Sequence, residues 1–339
     1  VPEVREHVKQ CIREVYEGRD WDGLEFDYGR NASLFRPTFE GRPVEQRHRD
    51  MLTEFQRQLR KMTREYSEKR NRPLLLAVVV PETVEISRDA GIDIEVWLKE
   101  QLVDMVIAGN GYVPFSTSMA TLRMVELGHK YGVPVYPQIN ANTGDGLFKR
   151  NIEVWRAAGM NFWSTGGDGI CLFNLFDMNG EAGKMTHRIL TEIGDPAKIA
   201  RQDKLYAADI DLETAGYGFG DIRFYMYRQN LVPMPLALPG SYVEFSVGDN
   251  LQGAAKEGIL SELKLRLLIE GLVANDILSL NFNGKALGGK QADAAFKANP
   301  KSHWREYDLN ASDVKNGTNR IDAELTLSRS TKTAPKLSR

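Results

Sequence analysis

The chain is poor in the residues that anchor several common chemistries. Its 339 residues include two cysteines, Cys11 and Cys171, far apart in sequence and without metal-type spacing. A disulfide-stapled scaffold and a cysteine zinc ribbon are excluded, and two buried thiols are the simplest reading, which leaves the redox compartment open. Histidine is also sparse. None of His7, His48, His129, His187 and His303 follows a predicted strand, so neither a histidine metal centre nor a Ser-His-Asp triad is expected. No stretch approaches the roughly 20 apolar residues of a membrane span, the longest run being Leu74 to Pro81. Neither sign of charge dominates: 44 Lys plus Arg face 46 Asp plus Glu, which gives no electrostatic case for a nucleic-acid partner. A P-loop and a Gly-x-Gly-x-x-Gly after a strand are both missing, so no nucleotide and no other cofactor is expected.

What is present is ordinary globular composition, 42% hydrophobic and 27% charged, with length for two domains. Val4, Val8, Cys11, Ile12 and Val15 lie at helical spacing, and a turn at Gly18-Arg19-Asp20 leads into the short strand Gly23 to Asp27. Val44 to Arg70 reads as one long amphipathic helix whose many basic residues form a solvated face. Leu74 to Val80 is apolar without alternation, as in a parallel strand covered on both faces. The same rhythm follows: a helix with Ile94, Trp97, Leu98 and Leu102, a strand over Val103 to Ile107, a helix over Met119 to Tyr131, a strand over Val133 to Tyr136, a helix over Asn151 to Ser164, and a strand over Gly169 to Phe173. Five strands alternating with helices predict a parallel sheet, doubly wound or closed as a barrel. The proline-rich seam Leu231 to Gly240 marks a boundary. Beyond it, the alternation in Leu263 to Leu267 and Ala323 to Leu327, with turn dipeptides at Asn283-Gly284 and Asn316-Gly317, predicts an antiparallel β-sandwich. The expected domains are 1–238 and 239–339.

Ligands of parallel βα architectures sit at the carboxyl ends of the strands. The first strand finishes at Asp27-Tyr28-Gly29-Arg30, the second at Glu82, the third at Asn110 and Tyr112, the fourth at Gln138 and Asn140, and the fifth at Asn174 and Asp177. Asp22, Asp104 and Asp168 precede their strands and are expected to be turn residues on the far side. Acids, amides and rings together suit a sugar: amides and acids hydrogen-bond hydroxyls, rings pack on the apolar faces, and two carboxyl groups can serve as proton donor and as base or nucleophile. Asp27 and Glu82 are the candidate pair. Glu25 shares the face of Asp27 by strand period, so it could replace either, raise the pKa of its neighbour, or pair with Arg30. Asp27 could instead form an ion pair with Arg30 or Arg36, and Glu82 could cap the next helix. Tyr28, Tyr112 and Trp163 could stack on a ring or belong to the core.

The segment Asp22-Gly23-Leu24-Glu25-Phe26-Asp27-Tyr28-Gly29-Arg30 resembles the "DG(I/L)xxDYxR" strand of bacterial glycoside-hydrolase-like (β/α)8 barrel proteins, the glycosyl hydrolase family 10-like group. Gly91 to Asp104 and Gly167 to Asn174 resemble later strands of that barrel, and the likeness covers about Pro2 to Tyr206. It implies that Asp27 and Arg30 lie in the cleft and that Glu82 stands where relatives carry an acid. In such barrels the Asp-Tyr-x-Arg strand is the fourth, so the resemblance implies an α/β TIM-type barrel lacking its first three strands, with strands 4–8 present, followed by the sandwich. The opening Val1-Pro2-Glu3, without an initiator Met, carries the same expectation of an amino-terminally shortened chain.

The sequence therefore leads to a carbohydrate-active protein, a glycoside hydrolase acting on a poly- or oligosaccharide. Asp27 and Glu82 are the catalytic acids, and Glu25, Tyr28, Arg30, Asn110, Tyr112, Gln138, Asn140 and Asn174 are the substrate-binding residues. A carboxyl separation of about 5 to 5.5 Å would imply retention, and about 6.5 to 9.5 Å inversion. The alternative is a glycan-binding or scaffold protein without turnover. A third reading places an oxygen-ligated metal on Asp27, Glu25 and Asn174. Oligomeric state and location are open, a secreted or periplasmic site requiring a signal segment absent from this chain.

Overall fold

The computed structural model describes residues 2–29, 34–40, 42–109, 121–141, 151–176, 179–207, 236–237, 241–270, 277–288, 302–326 and 336–337. Five parallel strands, β1 (Gly23–Asp27), β2 (Leu75–Val80), β3 (Met105–Ala108), β4 (Val135–Asn140) and β5 (Cys171–Phe173), pair in chain order and curl into half of a barrel. The α/β class expected from the sequence is present. A closed eight-stranded barrel is not: among the described residues the parallel sheet has five strands.

The strand register sorts the side chains. Asp27 pairs with Val79, Val79 with Ile107, Ile107 with Tyr136, and Gln138 with Cys171. Register partners share a face, so Glu25, Asp27, Val79, Ile107, Gln138, Asn140 and Cys171 line the concave side, while Phe26, Val78, Val80, Val106, Ala108, Val135 and Ile139 face outward. The outward set is buried under helices: Val78, Val80, Val106, Ala108 and Val135 share one core with Ile94, Trp97, Leu98 and Met124. Val79 on the concave side is buried as well, so the carboxyl half of β2 is covered on both faces, which explains its unbroken apolar run.

The helices come from periodic apolar residues and defined caps. Helix α1 (Pro2–Gly18) buries Ile12 and Tyr16 against α3 (Gln46–Arg70), which follows the single turn α2 (Arg36–Phe39) and buries Phe55, Leu59, Met62 and Tyr66. Tyr16 and Tyr66 stack with centroids 5.0 Å apart, and Tyr16 shares a 2.9 Å hydrogen bond with Thr63. A capping box of Glu45 and His48 starts α3, and Asn71 in the left-handed region (φ 52°) ends it. The helix expected to carry Ile94, Trp97, Leu98 and Leu102 is the shorter α5 (Ile94–Lys99), and it is preceded by an unforeseen α4 (Val84–Ala90), which ends at Gly91 (φ 106°). A side chain at Gly91 would also run into the ring of Phe35. Helix α6 (Leu122–Lys130) and the helices Ile152–Ser164 and Gly180–Glu192 complete the α/β part.

The aspartates that precede the strands hold the amino ends of the sheet together. Asp104 accepts two 2.6 Å bonds from Arg60 and one of 2.8 Å from the Leu76 N–H. Asp168 accepts the Val135 N–H at 2.8 Å and pairs with His129 Nε2 at 2.9 Å. Asp22 takes a 2.6 Å bond from Arg72, and its carbonyl accepts the Leu75 N–H. Each of the three thus ties the start of one strand to the next.

Most of the proline-rich seam lies outside the described residues. Leu236–Ala237 forms β6, which pairs with β13 (Lys336–Leu337). The remaining strands are β7 (Ser241–Val247), β8 (Lys264–Glu270), β9 (Ile277–Phe282), β10 (Lys285–Ala286), β11 (Ser302–Asp308) and β12 (Gly317–Thr326). They form two antiparallel sheets, β10-β9-β12-β7 and β11-β8-β13-β6, that share one core of Val243, Val247, Leu267, Ile269, Leu280, Phe282 and Ile321. This part is tied to the α/β part at Asp249, which accepts from Tyr206 at 3.0 Å and pairs with Lys204 at 3.1 Å, and by Asn161 Nδ2 donating to the Ser246 carbonyl at 3.0 Å.

Candidate functional site

The concave face and the carboxyl ends of the five strands carry most of the polar groups expected there. Glu25 and Asp27 project from β1 on the same side, both exposed. Though exposed by area, Glu25 stands in a concavity, and partial dehydration followed by the charge of Asp27 raises its pKa. On the opposite edge strand, burial pushes the Cys171 thiol up to about 11, with Glu25 and then Asp27 adding to the rise. A thiol on β5 that senses two carboxylates on β1 shows how far the sheet curls, since these strands are its two ends.

Gln138 and Asn140 follow each other on the inner face of β4, buried at 3% and 5% exposure. Gln138 Oε1 lies 4.0 Å from Cys171 Sγ, and its Nε2, wholly buried, has no hydrogen-bond partner among the described residues. Close approach of the backbone at this level needs glycine: a Cβ on Gly109 would collide with Cβ of Gln138, and one on Gly29 would sit 3.0 Å from the Gly109 carbonyl. Asn174 follows β5 in the left-handed region (φ 59°), which asparagine tolerates better than most residues.

Glu82 follows β2 and is 3% exposed. Burial pushes its carboxyl up to about 7, and Oε2 has no hydrogen-bond partner among the described residues. The expected helix-capping alternative is filled by its neighbour, since Thr83 caps α4 by accepting the Ile86 N–H at 3.1 Å. Asp27 and Glu82 therefore stand on neighbouring strands at the same end of the sheet, one open to solvent and one enclosed.

Tyr28 does not join them. Its ring turns to the helix side, where the hydroxyl donates to Gln56 at 3.0 Å and the ring meets Trp97 edge-on at 5.5 Å. The period of two that puts Glu25 and Asp27 inside puts Phe26 and Tyr28 outside, so Tyr28 is a core residue rather than a stacking platform. Trp163 is likewise structural, its indole N–H donating to the Ile193 carbonyl at 2.8 Å. Arg30, Asn110, Tyr112 and Asp177 lie outside the described residues.

One residue at this end was not foreseen. Thr121 immediately precedes α6 and is fully buried, yet its hydroxyl does not cap the helix and has no partner among the described residues. The helix expected over Met119 to Tyr131 takes Thr121 in as an ordinary first-turn residue, which hides it, whereas α6 begins at Leu122. Among the described residues, no cluster of three or more His, Cys, Asp or Glu has the geometry to hold a metal ion.

No protein-family model matches the chain, and no curated protein matches it.

Proposed function

We propose that the protein is carbohydrate-active and that its half-barrel hydrolyses a glycosidic bond. The observation that carries this reading is the contrast between two carboxyl groups at the ends of β1 and β2: Asp27 is exposed, and burial pushes Glu82 up to about 7. Acid catalysis needs such a division of labour, one group holding a proton near neutrality and another available as base or nucleophile. Glu82 gives its proton to the departing glycosidic oxygen as the bond to the anomeric carbon breaks. Asp27 either attacks that carbon or takes a proton from the water that does. Glu25, Gln138 and Asn140 are placed to hold hydroxyls on the concave face, and Arg30, Asn110, Tyr112 and Asn174 belong to the same proposal by their places after the strands. The likeness to glycoside-hydrolase-like barrels points the same way, the five strands corresponding to the later ones of such a barrel.

The test is a panel of polysaccharides assayed by release of reducing ends. Asp27→Asn and Glu82→Gln should each lower the rate on a hydrolysed member about a hundredfold or more. Undiminished rates in both variants overturn the catalytic reading. A second reading, glycan binding without turnover, draws on the 3% exposure of Glu82, because a catalytic acid must be reprotonated from solvent in every cycle. Glycan binding with no release of reducing ends from any bound member would favour it.

A further inference from the structure

Three polar side chains at the carboxyl end of the half-barrel are deeply buried and lack partners. They are Glu82 after β2 at 3% exposure, Thr121 at the start of α6 at 0%, and Gln138 on β4 at 3%. The atoms concerned are Glu82 Oε2, Thr121 Oγ1 and Gln138 Nε2. Burying a hydrogen-bonding group without a partner costs about 1 to 3 kcal/mol, so structures keep few of them, and three at this end of the sheet, against Arg60 Nε at the other, call for a purpose. Their places in the fold are consecutive. Glu82 lies beyond the end of β2, α6 is the helix between β3 and β4, and Gln138 packs against the backbone of Gly109 at the end of β3. Two interstrand spacings separate β2 from β4, roughly 9 to 10 Å, the reach of one sugar unit with its hydroxyls.

We infer that Glu82, Thr121 and Gln138 form a subsite for a neutral sugar unit, completing their hydrogen bonds with its hydroxyl and ring oxygens. The chemistry of the three groups sets the class. An amide N–H₂ only donates, a hydroxyl donates and accepts, and a protonated carboxyl does both, a set matched by hydroxyls and ether oxygens. Among the described residues, none of the three is paired with a charged side chain. A uronic acid would set a second carboxyl against Glu82 in a dry site, and an amino sugar would bury an ammonium beside neutral groups, each at a desolvation cost that a neutral hexose or pentose avoids. Deep burial of the donors fits a site that encloses most of its ligand. The inference rests on the glycan reading and adds to it the kind of sugar and the residue Thr121.

The experiment uses the full chain carrying Asp27→Asn, so that ligands are bound but not consumed. Neutral oligosaccharides (cello-, xylo-, manno- and malto-series) are titrated calorimetrically at pH 6 beside oligogalacturonate and chitosan oligomers. At least one neutral series should bind, and the charged ones should bind at least tenfold more weakly. Thr121→Val and Gln138→Leu should each weaken binding tenfold or more while the ligand-free protein melts at the same or a higher temperature, since an orphaned group has been removed. Glu82→Gln, which keeps a donor and an acceptor, should bind within about threefold of its parent. Parent-like binding by Thr121→Val and Gln138→Leu overturns the subsite, as do tighter binding of the charged oligomers or the absence of binding by every neutral series. Turnover that survives Asp27→Asn in the otherwise native chain would instead count against the catalytic reading alone, leaving these binding results to stand or fall separately.

Discussion

At the amino end of the parallel sheet, Asp22, Asp104 and Asp168 each meet a cationic or histidine side chain, and each also ties down a neighbouring strand through a backbone N–H. At the carboxyl end, Glu82, Thr121 and Gln138 are more deeply buried, yet each has a polar atom without a partner. The first end comes close to the native rule that buried polar groups are answered, with Arg60 Nε the exception there among the described residues. The second departs from that rule in one place and by several residues, as expected where a fold gives up stability to keep a site ready.

The largest effect that would sharpen this contrast is on Glu82. Its folded pKa lies above that of an unfolded glutamate, so between about pH 4.5 and 7 the native state holds a proton that the unfolded chain has lost. Stability therefore falls as pH rises through that window and levels off above it. Glu82→Gln should remove the slope and stabilise the protein at pH 8 by on the order of 3 kcal/mol, read by denaturant unfolding at several pH values. An unchanged slope would mean that the carboxyl is already charged in the folded protein.

Next is the opposite end. Asp104→Ala leaves the Arg60 guanidinium and the Leu76 N–H without their acceptor and should cost about 2 kcal/mol, seen as a lower melting temperature. A loss no larger than that of a surface substitution would break the comparison, because the strand-start aspartates would then hold nothing.

Thr121→Val should move stability the other way, raising it by about 1 kcal/mol as an unanswered hydroxyl becomes a methyl. Destabilisation would mean that the hydroxyl has a partner in solution. The smallest effect concerns Asp168. Burial raises its pKa, but the Val135 N–H and His129 together outweigh this and leave it lowered. The sign is the reverse of that at Glu82. The contribution of Asp168 is complete above the ordinary aspartate range and is lost as pH falls through the lowered folded value. Asp168→Asn should therefore weaken the acid sensitivity of unfolding, measured by melting temperature between pH 5 and 2.

Much of the α/β part was legible because its signals are local. The apolar run from Leu74 to Val80 follows from burial, and period two alone placed Glu25 and Asp27 together. On the first helix the expected apolar set is only partly inside: Ile12 is buried, Val4, Cys11 and Val15 are exposed, and Tyr16 supplies the other buried contact. The same period, applied to Tyr28, would have sent it to the helix side, but a tyrosine beside an acid reads as part of a site until its partners Gln56 and Trp97 are known. The end of α4 at Gly91 was hidden because the Phe35 ring that requires glycine there comes from a segment 56 residues earlier. At the site, Glu82 could be placed by its position after a strand. Its enclosure could not, since burial depends on elements distant in sequence. Thr121 was hidden inside the helix expected over Met119 to Tyr131, where nothing local marks it as buried.

The most direct measurement is a carbon-13 NMR titration of the glutamate carboxyl groups, with the Glu82 signal assigned by its disappearance in Glu82→Gln. A midpoint near 7 would show an enclosed carboxyl that holds its proton at the carboxyl end of the sheet, as described above. A midpoint in the usual glutamate range, near 4.3, would contradict it and remove both the proton donor and the neutral subsite.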